Sequence, residues 1–128
     1  MDYFDTSEWY AGINHSAEEA FIEELNEIFS DFLDEIEIDS KTARIQSRYL
    51  DSLNSFGEYL VAEAFSGNYI HGNVSSLLIL DSYVDQDEVP WIYVDDEAWQ
   101  EDFDVVCRKF YKFYLANRNE YRLRFATV

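Results

Sequence analysis

Two histidines, one cysteine and an excess of carboxylates are the side chains of this chain that could carry chemistry. His15 and His71 lie in separate expected turns. Neither has a second nitrogen or thiol ligand near it in sequence, so a zinc site lacks its template. Both read as loop or capping residues. Cys107 stands alone, which leaves no internal disulfide and no cysteine metal cluster. Beside Val106 in a helical stretch, it is expected as a small buried hydrophobe. The run "DQDEVPWIYVDDE" begins like a calcium loop at Asp85 and Asp87. Val89 then stands at the next ligand position, and Pro90 stands where that turn needs glycine. With only four glycines, the chain offers no glycine-rich phosphate cradle and no nucleophile elbow. Carboxylates are so numerous that any pair chosen for acid–base hydrolysis would be arbitrary. These residues point to a protein that binds rather than catalyses, with no cofactor and no metal.

The distribution of charge is more informative than the isolated nucleophiles. There are 27 acids and 9 Lys or Arg, a formal net charge of −18. Thirteen acids lie in residues 1–39 and thirteen in 49–107, with Glu120 the remaining one. The bases form two islands: Lys41, Arg44 and Arg48, then Arg108, Lys109, Lys112, Arg118, Arg122 and Arg124. Such a field repels nucleic-acid backbones and anionic membranes and draws basic partners inward. Within "AEEAFIEELNEIFSDFLDEIEID", the residues Glu19, Glu23, Glu27, Asp31 and Glu35 form a ladder at i, i+4 spacing. Like charges at this spacing destabilise a helix by about 0.2–0.5 kcal/mol per pair, so the ladder costs about 1–2 kcal/mol. A helix shaped for stability alone would alternate Glu with Lys. A solvated face with an acidic bias is the plain explanation, but the same bias recurs in residues 81–104. Adaptation to high salt would spread the acids evenly and trim large apolar residues, whereas this chain keeps ten Phe and ten Tyr.

The elements that must position these residues are helical. A chain of 128 residues with 48% hydrophobic and 18% aromatic content suits one domain with a substantial core. Ser16 followed by Glu19 is a capping box that predicts a helix from Ala17 to about Ile36. Its stripe is Phe21, Leu25, Ile28, Phe29, Phe32 and Ile36. A second helix is predicted from about Lys41 to Phe65, capped by Asp39 or Ser40. Tyr49, Leu53, Phe56, Leu60 and Ala64 form its buried line, and "SGN" at 66–68 ends it with Gly67 as a left-handed cap. Asn73 suits the cap of a short helix through Val84, although "LLIL" equally suits a buried strand. Pro90 breaks the chain, and "WIYV" alternates as an extended piece would. Asp95 and Asp96 open the last long helix, with Trp99, Phe103, Val106, Phe110 and Phe113 along one face. Its acidic start and basic end match the helix dipole. The tail "RNEYRLRFATV" either extends that helix or forms a terminal strand. The fold class expected is mainly α: a single-domain helical bundle over 1–128 with room for a short extended segment near 89–94. No run of about 18 apolar residues suits a membrane span. The opening "MDYFDTSEWY" is acidic, unlike a secretory leader, so a soluble cytoplasmic protein is expected.

The segment "DSYVDQDEVPWIYVDDE" interleaves Asp81, Asp85, Asp87 and Glu88 with Tyr83, Trp91 and Tyr93. Acids speed and orient the approach of a cationic partner, and large aromatic side chains anchor it. These seven residues, with Glu19, Glu23 and Glu27 of the ladder, are the candidate partner-binding set. Trp91 and Tyr93 could instead close the core. The N-terminal "YFDTSEWY" has the same mixture.

Asp51-Ser52-Leu53 resembles the acyl carrier motif, in which the serine bears a phosphopantetheine arm. There the serine opens a helix, whereas here it falls well inside the second one, so a solvent-facing serine is expected. In overall character the chain resembles bacterial toxin immunity proteins, and among them those of contact-dependent growth inhibition systems. The resemblance lies in length, single domain, acid excess and stretches such as "NYIHGNVSSLLILDSYVD" and "VPWIYVDDEAW". It implies a cytoplasmic protein that binds a basic toxin domain, often a nuclease, and occludes its active-site or substrate groove. The alternative is a DNA-mimicking inhibitor of a restriction or CRISPR nuclease, for which the ladder would imitate phosphate spacing. Either way the expected partner is a basic protein domain, with no direct nucleic-acid binding and no membrane.

Overall fold

Phe21, Leu25, Ile28, Phe29 and Phe32 recur at three- and four-residue intervals, and all five are buried along one face of helix α1 (His15–Glu35) in the computed structural model. The structure describes residues 3–12, 15–65 and 75–125. Among them α1 is followed by α2 (Ala43–Phe65), α3 (Ser76–Asp85) and α4 (Glu97–Arg124), with short 3₁₀ turns at Thr6–Trp9 and Ile38–Ser40. The protein is a mainly α bundle, and no strand occurs among the described residues. The "LLIL" run, open between helix and strand, lies in α3. Residues 88–93 run without helix or strand. No helix is long and apolar enough to cross a membrane among the described residues.

The caps of α1 and α2 differ from those the sequence suggested, whereas Asp96 opens α4 as expected. Ser16 is the second residue of α1, not its cap, because the helix already begins at His15. Glu18 rather than Glu19 turns back, accepting hydrogen bonds from the Ala11 and Gly12 amides at 2.6 and 3.1 Å. Asp39 and Ser40 belong to the 3₁₀ turn, and Thr42 receives the Ile45 amide at the start of α2. Between the two helices Glu37 adopts a left-handed conformation with φ 54°. Ser75 accepts from the Leu77 amide at the head of α3, and Asp96 from the Trp99 amide at the head of α4. Gly67, His71 and Asn73 lie outside the described residues.

Packing joins the helices through aromatic rings. Phe29 of α1 meets Phe110 of α4 edge-on at 5.0 Å and stacks with Phe56 of α2 at 6.0 Å. Rings in such orientations contribute about 0.5–1.5 kcal/mol per pair beyond the area they bury. The predicted line of α2 is buried throughout, and Cys107 is buried in α4. Ser52 is also buried, at 2% exposure, so the Asp-Ser-Leu serine does not face solvent. The N-terminal segment is drawn in by Trp9, whose indole donates to Asn54 Oδ1 at 2.8 Å and lies over Gly57. A Cβ at Gly57 would sit 2.7 Å from that ring, so the close approach requires glycine here.

Candidate functional site

The carboxylates of α3 lie on the side of that helix that meets the basic end of α4. Asp81 accepts from the Tyr114 hydroxyl at 2.9 Å, from Arg118 at 3.3 Å and from Arg122 at 3.2 Å, with its side chain 22% exposed. Asp85 pairs with Arg118 at 2.6 Å, and Asp87 with Arg108 at 2.8 Å. Tyr83 is half-buried against Phe56 and shares a hydrogen bond with Tyr59, and burial raises its phenol pKa. Asp81 and Tyr83 are thus largely engaged by their neighbours, whereas Asp85 and Asp87 stay exposed within their ion pairs, at 54% and 73% of the side chain. Sequence separations of 21 to 41 residues hid the arginines that occupy these carboxylates.

The ladder on α1 divides in two. Arg124 pairs with Glu27 at 2.9 Å and Asp31 at 3.0 Å, and Tyr121 donates to Asp31 at 2.8 Å. The hydrogen bond to Asp31, followed by those to Glu120 and Glu27, holds the Arg124 pKa above its ordinary value. Glu27 thus shares one internal cation with Asp31 and Glu120, and its side chain stays 48% exposed. Glu19 and Glu23 are exposed and make no ion pair among the described residues. Beside them Tyr10 is 40% exposed, its phenol raised first by partial burial and then by the charges of Glu19, Glu23 and Glu18.

The remaining candidates meet on the segment between α3 and α4. Gln100, only 6% exposed, fixes this strap from the first turn of α4. Its Oε1 accepts from the Ile92 and Tyr93 amides at 3.0 and 2.8 Å, and its Nε2 donates to the Pro90 carbonyl at 3.1 Å. Tyr111 donates to the Glu88 carbonyl at 2.6 Å. Tyr93 shares a hydrogen bond with Ser55 at 2.7 Å and packs on Phe103, so it closes the bundle rather than standing free. Trp91 faces out at 64% exposure, and the Glu88 side chain is also exposed. Trp99, expected on the buried face of α4, is 43% exposed. Gln100 takes the inward position, one hundred degrees further round the helix.

Two grooves flank the strap. One, of about 600 Å³, is lined by Val89, Trp91, Glu97, Gln100, Glu101, Asp104 and Val105. The other, of about 440 Å³, is lined by Asp51, Asn54, Ser55, Tyr93 and Trp99. Among the described residues Asp51, Glu97 and Glu101 form no ion pair, whereas Asp104 is held by Arg108 and Asp102 by Arg48. Exposed aromatic faces beside unpaired carboxylates suit binding of cations. Cys107 is poorly placed as a nucleophile, since burial raises its thiol pKa well above the ordinary value. Among the described residues no group of His, Cys, Asp and Glu could hold a metal ion.

Gln100 and Trp99 are the members of this site that sequence reasoning missed. A signal was present. Position 100 continues the buried spacing of Phe103, Cys107, Phe110 and Tyr114, and a glutamine at an inward helix position needs partners. No family model, curated protein or solved structure matches the chain.

Proposed function

We propose that the protein is an immunity-type inhibitor that binds a basic toxin domain, of the nuclease kind, and occludes its active-site or substrate groove. The observation that carries this reading is the strap. Its backbone is fixed by Gln100 and Tyr111, it presents Trp91 outward, and exposed carboxylates with no cation of their own flank it. An aromatic anchor held rigid before contact loses little conformational freedom on binding. The surrounding negative charge accelerates encounter with a cationic surface. Glu19, Glu23 and Tyr10 form a second anionic and aromatic patch on α1, suited to the rim of the same kind of partner. In this reading the protein acts in the cytoplasm, contacts neither nucleic acid nor membrane, and needs no catalysis of its own.

The duplex-mimic alternative draws less support. It requires an uninterrupted file of carboxylates, and Arg124 occupies Glu27 and Asp31 in the middle of the ladder. The test is affinity capture from the native host on immobilised protein, followed by assay of the purified captured domain. A basic, toxic domain neutralised at one-to-one stoichiometry, with affinity that largely survives raised salt and excess duplex DNA, is expected. Capture of a domain that duplex DNA displaces would favour the mimic. Absence of any cationic partner would remove both.

A further inference from the structure

The larger groove beside the strap sets an exposed aromatic face beside carboxylates. Trp91 forms one wall, Val89 and Val105 extend it as apolar surface, and Glu97 and Glu101 stand one helical turn apart on α4. The carboxylates on this side of α4 continue to Asp104, and there the pattern is already used: the Arg108 guanidinium bonds Asp104 at 3.0 Å and reaches Asp87 at 2.8 Å. The two acids nearer the strap have no such cation among the described residues. Gln100, between them, has its amide engaged by the strap, so it holds the wall in place instead of binding an occupant.

We propose that this groove receives an arginine side chain of the basic partner. The guanidinium plane stacks on the exposed Trp91 indole and hydrogen-bonds the Glu97 and Glu101 carboxylates, while the aliphatic stem lies along Val105. Arginine fits better than lysine because its planar, weakly hydrated cation stacks on an aromatic face and offers paired donors to carboxylates. The inference rests on the proposed function for the identity of the partner, but the groove's chemistry is testable without it.

Hexa-arginine and hexa-lysine peptides are titrated into the isotope-labelled protein, and indole and backbone amide signals are followed. Saturable shifts centred on Trp91, Glu97 and Glu101 are expected with hexa-arginine. Binding should weaken about fivefold in Trp91→Ala and by a similar factor in the Glu97→Gln, Glu101→Gln double variant. Equal binding of hexa-lysine, or shifts centred on Glu19 and Glu23 with Trp91 unmoved, would overturn the proposal. The same variants are assayed against the captured toxin domain. Full neutralisation by Trp91→Ala would refute the groove and leave the inhibitor reading standing. Selective hexa-arginine binding without any cationic partner in the host would do the reverse.

Discussion

Replacing Gln100 with Ala tests whether one buried amide holds the strap. The substitution removes three hydrogen bonds and leaves the Ile92 and Tyr93 amides and the Pro90 carbonyl without a partner. At about 1 kcal/mol net for each bond, the strap loses about 3 kcal/mol relative to a locally opened form. The loss is local, because an opened strap can satisfy these groups with water while the aromatic core of α1, α2 and α4 stays closed. Opening would also strip Tyr93 from Ser55 and Phe103. Since 1.4 kcal/mol is a factor of ten, amide hydrogen exchange at Ile92 and Tyr93 should accelerate about a hundredfold. Exchange in the middle of α2 should change far less. Gln100→Glu keeps acceptors for both amides but cannot donate to Pro90, so its effect should be intermediate. Unaltered exchange at Ile92 and Tyr93 in Gln100→Ala would refute the reasoning, because the strap would then be held by its own packing.

Further outcomes follow from other contacts. Asp81→Ala removes the shared acceptor of Tyr114, Arg118 and Arg122 and should lower stability by about 1–3 kcal/mol, whereas Asp87→Ala, at an exposed pair, should cost under about 1 kcal/mol; denaturant midpoints at constant slope compare them. Burial raises the phenols of Tyr83, Tyr111, Tyr114 and Tyr121, and the hydrogen bond to Asp34 leads in raising Tyr3 to about 12 from an ordinary 10.0. Folding therefore favours the neutral phenols, so their contribution is whole below pH 10 and drains away as pH rises through the folded values. Spectrophotometric titration should show phenolate appearing late and together with unfolding; early, independent ionisation would contradict this. Gly57→Ala pushes a methyl group into the Trp9 ring at 2.7 Å and should destabilise by about 1–3 kcal/mol, with a red shift of tryptophan fluorescence as Trp9 is displaced.

The helices were legible because burial writes itself into spacing. Phe21, Leu25, Ile28 and Phe32 mark the inner face of α1, and Phe103, Val106, Phe110 and Phe113 mark that of α4, in a pattern only a helix produces. Caps were less legible, since Ser16, Asp39, Ser40 and Thr42 are all competent and tertiary contacts select among them. The site was half legible. Trp91 stood out as an aromatic among acids, but the fate of each acid depended on arginines brought near by folding alone. Arg118 reaches Asp81 and Asp85 across more than thirty residues, and no local rule links them. Segment charge therefore marked where acids are dense along the chain but not which of them the fold pairs with arginines. Ser52 shows the same limit, since its inward orientation is set by which side of α2 meets its neighbours.

The arginines at the far end of α4 have an effect beyond the ion pairs they make. A helix of 28 residues is about 42 Å long at 1.5 Å per residue, so Arg118, Arg122 and Arg124 lie about 25–40 Å along α4 from Glu97 and Glu101. Those arginines share Asp81, Asp85, Glu27, Asp31 and Glu120, whereas Glu97 and Glu101 make no ion pair among the described residues, so negative charge is partly offset at one end of α4 and unopposed at the other. Such unevenness favours the approach of a cationic body from the Glu97 and Glu101 end, before the two surfaces touch.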